Sequence, residues 1–394
     1  MELRDALFAA LRYELTDTLP EGVSFDACDD TFLKALYEFS GRQEVAHLVG
    51  DALEKLGVLS KASDEIAECF RRRQAVSAYH AEQQRQVFEM ISAAFDAKKI
   101  PYLPLKGLVI RPLYPEPWMR TAGDLDILVK QEDLERAEAC LAGLGAKKVK
   151  TTEHDLEFLF FNGVTLELHF KLLEDGYAND AERRLFQNVW ADLTPKSENS
   201  FCCALSPELF YCYHLAHAAK HLEMGTCGIR PFLDAWVLLH RWTFDEGREK
   251  TYLSICGLLL FAESAEKLIR VWFSDAPKDD WTSALEGLLL SGGVFGSAGA
   301  KQSMAEYEKR GRLRYFFSRI FLSFDEMKRE ESILEKHPIL FPFLQVKRWF
   351  RILFGGRLRS RRHARKEAEK IDMGEHTIAE LREHLGLLRK ENFI

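Results

Sequence analysis

Three acidic residues are placed so that they could hold divalent cations: Asp124 and Asp126, one residue apart, and Glu167 further along the chain. Side chains alternate between the two faces of an extended strand, so Asp124, Asp126 and Leu128 share one face and Leu125, Ile127 and Val129 the other. In the run Val164 to Phe170 the same alternation puts Thr165, Glu167 and His169 together, opposite Val164, Leu166, Leu168 and Phe170. A D-x-D pair by itself fits an exposed strand end equally well, and the third acid is what sharpens it. Hard cations such as magnesium want oxygen ligands, few of them from protein and the rest from water and phosphate. Three carboxylates on adjacent strands suit a two-magnesium phosphoryl- or nucleotidyl-transfer site.

Such a site needs strands and turns to position it, and the pattern along the chain supplies them. Residues 1–98 read as an N-terminal helical region: Phe32, Leu33, Leu36 and Phe39 recur at helical spacing and no proline interrupts Ile66 to Lys98. At Lys99 the pattern changes to a short, proline-marked extended stretch, Ile100 to Leu105, ending in a turn at Gly107. Asp124 to Val129 reads as a strand. Gln131 to Leu144 follows as an amphipathic helix, with Gly145 as its C-terminal cap. Phe158–Phe161 and Val164–Phe170 flank Asn162 and Gly163, a dipeptide that favours a tight hairpin turn. The expected fold class is therefore α+β, mostly helical overall: a small mixed-sheet α/β domain over 99–200, a C-terminal helical domain over 201–345, and a basic helical tail over 346–394.

Leu105-Lys106-Gly107, Arg120, Gly123-Asp124-Leu125-Asp126-Ile127-Leu128-Val129 and Leu166-Glu167-Leu168-His169 together resemble the uncharacterised nucleotidyltransferases of the DNA polymerase β superfamily. The resemblance implies that Gly107 lies against a triphosphate, that Asp124 and Asp126 bind two metal ions, and that Glu167 completes the site. It implies a nucleoside triphosphate such as ATP as co-substrate, and Mg2+ as cofactor with Mn2+ as its substitute. Leu108 stands where most members carry serine, so that residue's phosphate contact is missing here. Lys106 and Arg120 are chemically suited to supply the counter-charge, although ordinary surface cations would fit the same two positions.

Outside that segment, His214, His217 and His221 form a stripe on one expected helix, with Lys220 beside them. A zinc site and plain hydrogen-bonded packing both fit this spacing, while the resemblance implies instead that such a helix borders the cleft, where His217 or Lys220 touches nucleotide or acceptor. His154, Asp155 and Asp234 are further candidates for that cleft. Between Lys347 and Lys370, ten Lys or Arg face only Glu367 and Glu369, while the whole chain carries −7. That tail fits an anionic partner or a solvated helix face paired within the molecule.

The overall acidity argues against nucleic acid bound along the whole length. The eight cysteines contain no C-x-x-C pair, and the glycine-rich run 292–301 lacks the G-K-[ST] of a phosphate loop. No run is apolar enough for a transmembrane segment, and Met1 to Leu15 is unlike a signal peptide, so a cytoplasmic protein is expected. The leading expectation is a magnesium-dependent nucleotidyltransferase, acting on a small molecule, a glycan or peptide precursor, or a protein. The alternatives are a catalytically silent nucleotide-binding regulatory or partner-binding module, and a protein-nucleotidylating, antitoxin-type enzyme.

Overall fold

Four helices precede the first strand, each following the spacing of its apolar residues: α1 (Leu3–Thr16), α2 (Asp30–Arg42), α3 (Ala46–Lys55) and α4 (Asp64–Ala97). The start of α2 is fixed by Asp29, whose side chain accepts from the Phe32 backbone N–H at 2.8 Å and so satisfies one of the donors a helix start leaves open. The 34-residue α4 buries Ile66 and Phe70 near its start and Val87, Ile91 and Phe95 near its end. The computed structural model describes residues 1–172, 180–191, 193–195, 200–224, 227–292 and 376–387, with the single residues Met327, Phe341, Pro342, Leu344 and Gly374. The basic run 347–370 and nearly all of the glycine-rich run 292–301 lie outside the described residues.

The last turns of α4 form the floor of a five-stranded sheet with the order β1-β2-β5-β4-β3: β1 (Tyr102–Pro104), β2 (Asp124–Val129), β3 (Lys147–Thr151), β4 (Asp155–Leu159) and β5 (Thr165–His169). Val87, Ile91 and Phe95 of α4 and Ala137 and Leu141 of α6 (Leu134–Gly143) pack in one core with Leu125, Ile127, Leu156, Phe158, Leu166 and Leu168 from the strands. These strand residues all belong to one face, which commits Asp124, Asp126, Glu167 and His169 to the other.

The hairpin expected at Asn162-Gly163 joins β4 and β5. Gly163 takes a φ of 84°, the left-handed conformation that glycine adopts without Cβ strain. The strand before it starts at Asp155 rather than Phe158, because Asp155 already pairs with His169. β3 was not expected: its five residues, Lys-Lys-Val-Lys-Thr, are all exposed, so no apolar alternation marks it. Its lysines are what an open sheet edge needs to discourage pairing with another chain.

β2 and β5 run parallel, with Asp124 opposite Thr165, Asp126 opposite Glu167 and Leu128 opposite His169. β1 runs antiparallel to β2 on its other side and leads into a single-turn helix, α5 (Gly107–Ile110). The remaining described helices are α7 (Asp180–Gln187), α8 (Pro207–Glu223), α9 (Arg230–Arg241), α10 (Glu246–Cys256), α11 (Leu259–Phe273), α12 (Asp280–Gly292) and a short helix Ile378–His384. Among the described residues no helix is long and apolar enough to cross a membrane. The chain divides into two compact units: Met1–Lys220 with Ile229–Asp279 and Leu385–Ile394, and His221–Gly228 with Asp280–His384. Every site residue discussed below, apart from His221, lies in the first. In the second, Trp281 stacks on His376 and His384 with ring centroids 3.8 and 4.2 Å apart.

Candidate active site

The register of β2 against β5 brings Asp126 and Glu167 side by side, and two cationic groups converge on them. Lys106 places Nζ 2.7 Å from Asp126 Oδ1 and 4.0 Å from Glu167 Oε2. His169 places Nε2 2.9 Å from the same Asp126 oxygen and 3.4 Å from Glu167 Oε2. Among the described residues, Asp126, Glu167 and His169 form a group whose candidate ligand atoms all lie within 4.8 Å of one another. Asp124, one step back along the same face, stands outside that tight group.

The charges explain one another. Burial alone would raise the Asp126 carboxyl, but the Lys106 ammonium and the His169 hydrogen bond override it and hold it well below the usual carboxylate range. His169 shows the reverse balance: burial disfavours its charge, yet hydrogen bonds to Asp126 and Glu167 push it up to about 9. Lys106 likewise stays charged against burial because Asp126 faces it. Among the described residues Asp124 has no such ally at bonding distance. Burial, then repulsion from Asp126 and Glu167, pushes it up to about 6.

The turn that delivers Lys106 is strained. Its φ of 43° and ψ of −118° form a conformation that glycine adopts far more easily than lysine. The strand pairing continues to the Leu105 N–H, which donates to the Asp126 carbonyl at 2.9 Å, so the next residue must turn across the sheet end. Gly107 follows because space demands it: a Cβ there would stand 3.1 Å from Ala122 Cβ and 3.2 Å from Arg120 Nη1.

Arg120 is buried, and its guanidinium is engaged within the protein. Nη2 donates to Asp234 Oδ2 at 2.9 Å, Nε reaches both Asp234 oxygens at 3.2 Å, and Nη1 donates to the Thr121 carbonyl at 2.7 Å. Tyr114 Oη donates to the same Asp234 at 2.9 Å. Arg111 donates to the Arg120 carbonyl at 3.1 Å, and Gln84 of α4 donates to the Ala122 carbonyl at 3.0 Å. The loop feeding Asp124 is thereby tied to α4 on one side and to α9 on the other. Asp234, a cleft candidate in the sequence, is the buried anchor of this network, 1% exposed.

The histidine stripe lies along α8. His214 is buried, and its Nε2 lies 2.8 Å from the Pro231 carbonyl, at the start of α9. His217 is half-buried on α8, its ring centroid 6.4 Å from that of Tyr213, and Lys220 is half-buried on the next turn. Among the described residues the stripe forms no group of metal-ligating atoms. Tyr213 itself escaped the sequence reading as a site residue. Burial pushes its hydroxyl up to about 12, and the charges of Lys106, Asp126 and Glu167 all act on it. His154 pairs with Asp155, Nε2 to Oδ2 at 2.8 Å, and stacks at 6.2 Å on His169.

A family profile described as uncharacterised nucleotidyltransferase matches residues 31–274, more than half of the chain. A solved structure of the antibiotic-resistance factor ANT(2'')-Ia aligns with 44% of this chain and 90% of its own, at 12% identity and a TM-score of 0.33. No curated protein matches the chain.

Two outcomes follow from the buried charges. Replacing Arg120 with Ala strands the Asp234 carboxylate in a buried site, a loss of about 3–5 kcal/mol in urea unfolding; a change below about 1 kcal/mol contradicts the ion-pair account. Asp124 titrates higher when folded than its unfolded value of about 3.9, so its stabilising contribution is complete below that pH and is lost as pH rises through about 6. In chelator, melting curves of wild type measured against Asp124→Asn should show the wild-type advantage shrinking between pH 4 and pH 7. A difference independent of pH contradicts the crowding of Asp124 by Asp126 and Glu167.

Proposed function

Because the chain belongs to the uncharacterised nucleotidyltransferase family, we propose that it transfers a nucleoside monophosphate from a nucleoside triphosphate to an acceptor at the Asp124–Asp126–Glu167 face of the sheet. The acceptor oxygen bonds to the α-phosphorus as the bond to the β-phosphate oxygen breaks, and pyrophosphate leaves. The observation that carries this reading is the parallel register that sets Asp126 against Glu167, with Asp124 beside them on the same face.

The donor set fits a divalent cation. Two acids and an imidazole converge within 4.8 Å, and the third acid is pushed up to about 6 by burial and by the negative charge of Asp126 and Glu167. Asp124, Asp126 and Glu167 are the residues that would hold magnesium, which when bound supplies neutralisation of phosphate charge and polarisation of the attacking hydroxyl. Lys106, held at the mouth of the site by its strained turn, is the ammonium that meets a phosphate of the triphosphate. Gly107 lets the turn lie close against the Arg120–Ala122 loop.

Arg120 acts at one remove: spent on Asp234, it fixes the segment from which Asp124 projects. His217 and Lys220, continuing α8 beyond Tyr213, face nucleotide or acceptor in this reading.

Catalysis of this kind is chiefly positioning and charge neutralisation. Asp126→Asn should lower transfer of labelled nucleotide, followed with each triphosphate in magnesium and cell extract, by more than about a hundredfold while leaving the circular dichroism spectrum unchanged. A folded, fully active Asp126→Asn protein sinks the assignment. Triphosphate binding by wild type with no pyrophosphate release points instead to a silent nucleotide-binding module. The mass on which the label ends distinguishes a small acceptor from a protein.

A further inference from the structure

His169 is the one residue of the cluster that a purely carboxylate site does not call for. It lies on the same face of β5 as Glu167, two residues on, and its side chain is 9% exposed. Its Nε2 lies 2.9 Å from Asp126 Oδ1 and 3.4 Å from Glu167 Oε2, within reach of both acids. The His154 ring stacks on it at 6.2 Å, with 24° between the planes, and so borders the imidazole on one side.

The spacings match a coordination shell. Neighbouring ligands on a six-coordinate cation with bonds of about 2.1 Å stand roughly 3.0 Å apart, and ligands on opposite sides roughly 4.2 Å. Of the two contacts of Nε2, 2.9 Å is of the first kind and 3.4 Å lies between the two, and a group spread within 4.8 Å closes on one ion by a small inward shift of the carboxylates. In the metal-free protein the Nε2–H donates to Asp126.

On the reading that this face holds catalytic metal, we propose that His169 Nε2 is a direct metal ligand beside Asp126 and Glu167, and that it gives the site a preference for a first-row transition cation of the manganese class over magnesium. Magnesium is a hard ion that takes oxygen and keeps its waters, and gains little from an imidazole. Transition cations form stronger bonds to nitrogen. The imidazole therefore adds affinity for one class of ion while contributing little for the other.

The test is pulsed electron paramagnetic resonance of Mn2+ added to the full chain, together with displacement of Mn2+ by Mg2+. Bound Mn2+ should show hyperfine coupling to a ligand nitrogen. His169→Gln, its fold checked by circular dichroism, should lose that coupling and bind Mn2+ about tenfold more weakly, with Mg2+ affinity changed by less than about threefold. Mn2+ bound to wild type without nitrogen coupling overturns the inference, and so does an equal weakening of both ions in the variant; both outcomes leave the carboxylate reading in place. Failure of wild type to bind Mn2+, or binding that survives Asp126→Asn, overturns the inference and the metal reading together.

Discussion

The structure depends on the parallel pairing of β2 with β5. That pairing places Asp126 opposite Glu167 on one side of the sheet, while Leu125, Ile127, Leu166 and Leu168 pack into the core on the other. A slip of one residue would send the acids into the core and the leucines to the site, so burial of the underside fixes the register and the register fixes the site. Like charges brought this close repel, and the surrounding elements answer that repulsion. Lys106 comes from the turn after β1 and His169 from the end of β5.

The second constraint is how the loop before β2 is held. Asp234 accepts from Arg120 and Tyr114, both buried, and the Arg111 and Gln84 bonds fasten the same loop to its surroundings. A buried ion pair of this kind adds little stability over an apolar replacement but is costly to break from one side. Its value here is geometric: the Arg120 guanidinium, with Ala122, is the surface against which Gly107 packs, so one residue braces both the Lys106 turn and the approach to Asp124.

Much of this was legible in the sequence, and the rest was hidden for physical reasons. β2 and β5 could be read because each alternates polar and apolar residues and Asn162-Gly163 marks the turn between β4 and β5. The faces followed from that alternation, and the three acids with them. Alternation says which side a residue takes but not how two strands run, so β2 and β5 were expected side by side, while their parallel direction and the register of Asp126 against Glu167 were not. β3, exposed throughout, carries no burial signal. The pairing of Arg120 with Asp234 spans 114 positions, and nothing local in either segment announces it. His169 stood on the correct face in the sequence, but the turn of its ring toward Asp126 is a tertiary fact.

The most direct test of the account is a crystal structure of the chain with Mn2+ and a non-hydrolysable nucleoside triphosphate, with anomalous scattering used to locate the metal. The account requires an anomalous peak between Asp126 and Glu167, about 2.0–2.4 Å from an oxygen of each, with the triphosphate reaching it past Lys106. A triphosphate bound elsewhere, or bound with Lys106 still seated on Asp126 and no metal peak on this face of the sheet, would contradict it.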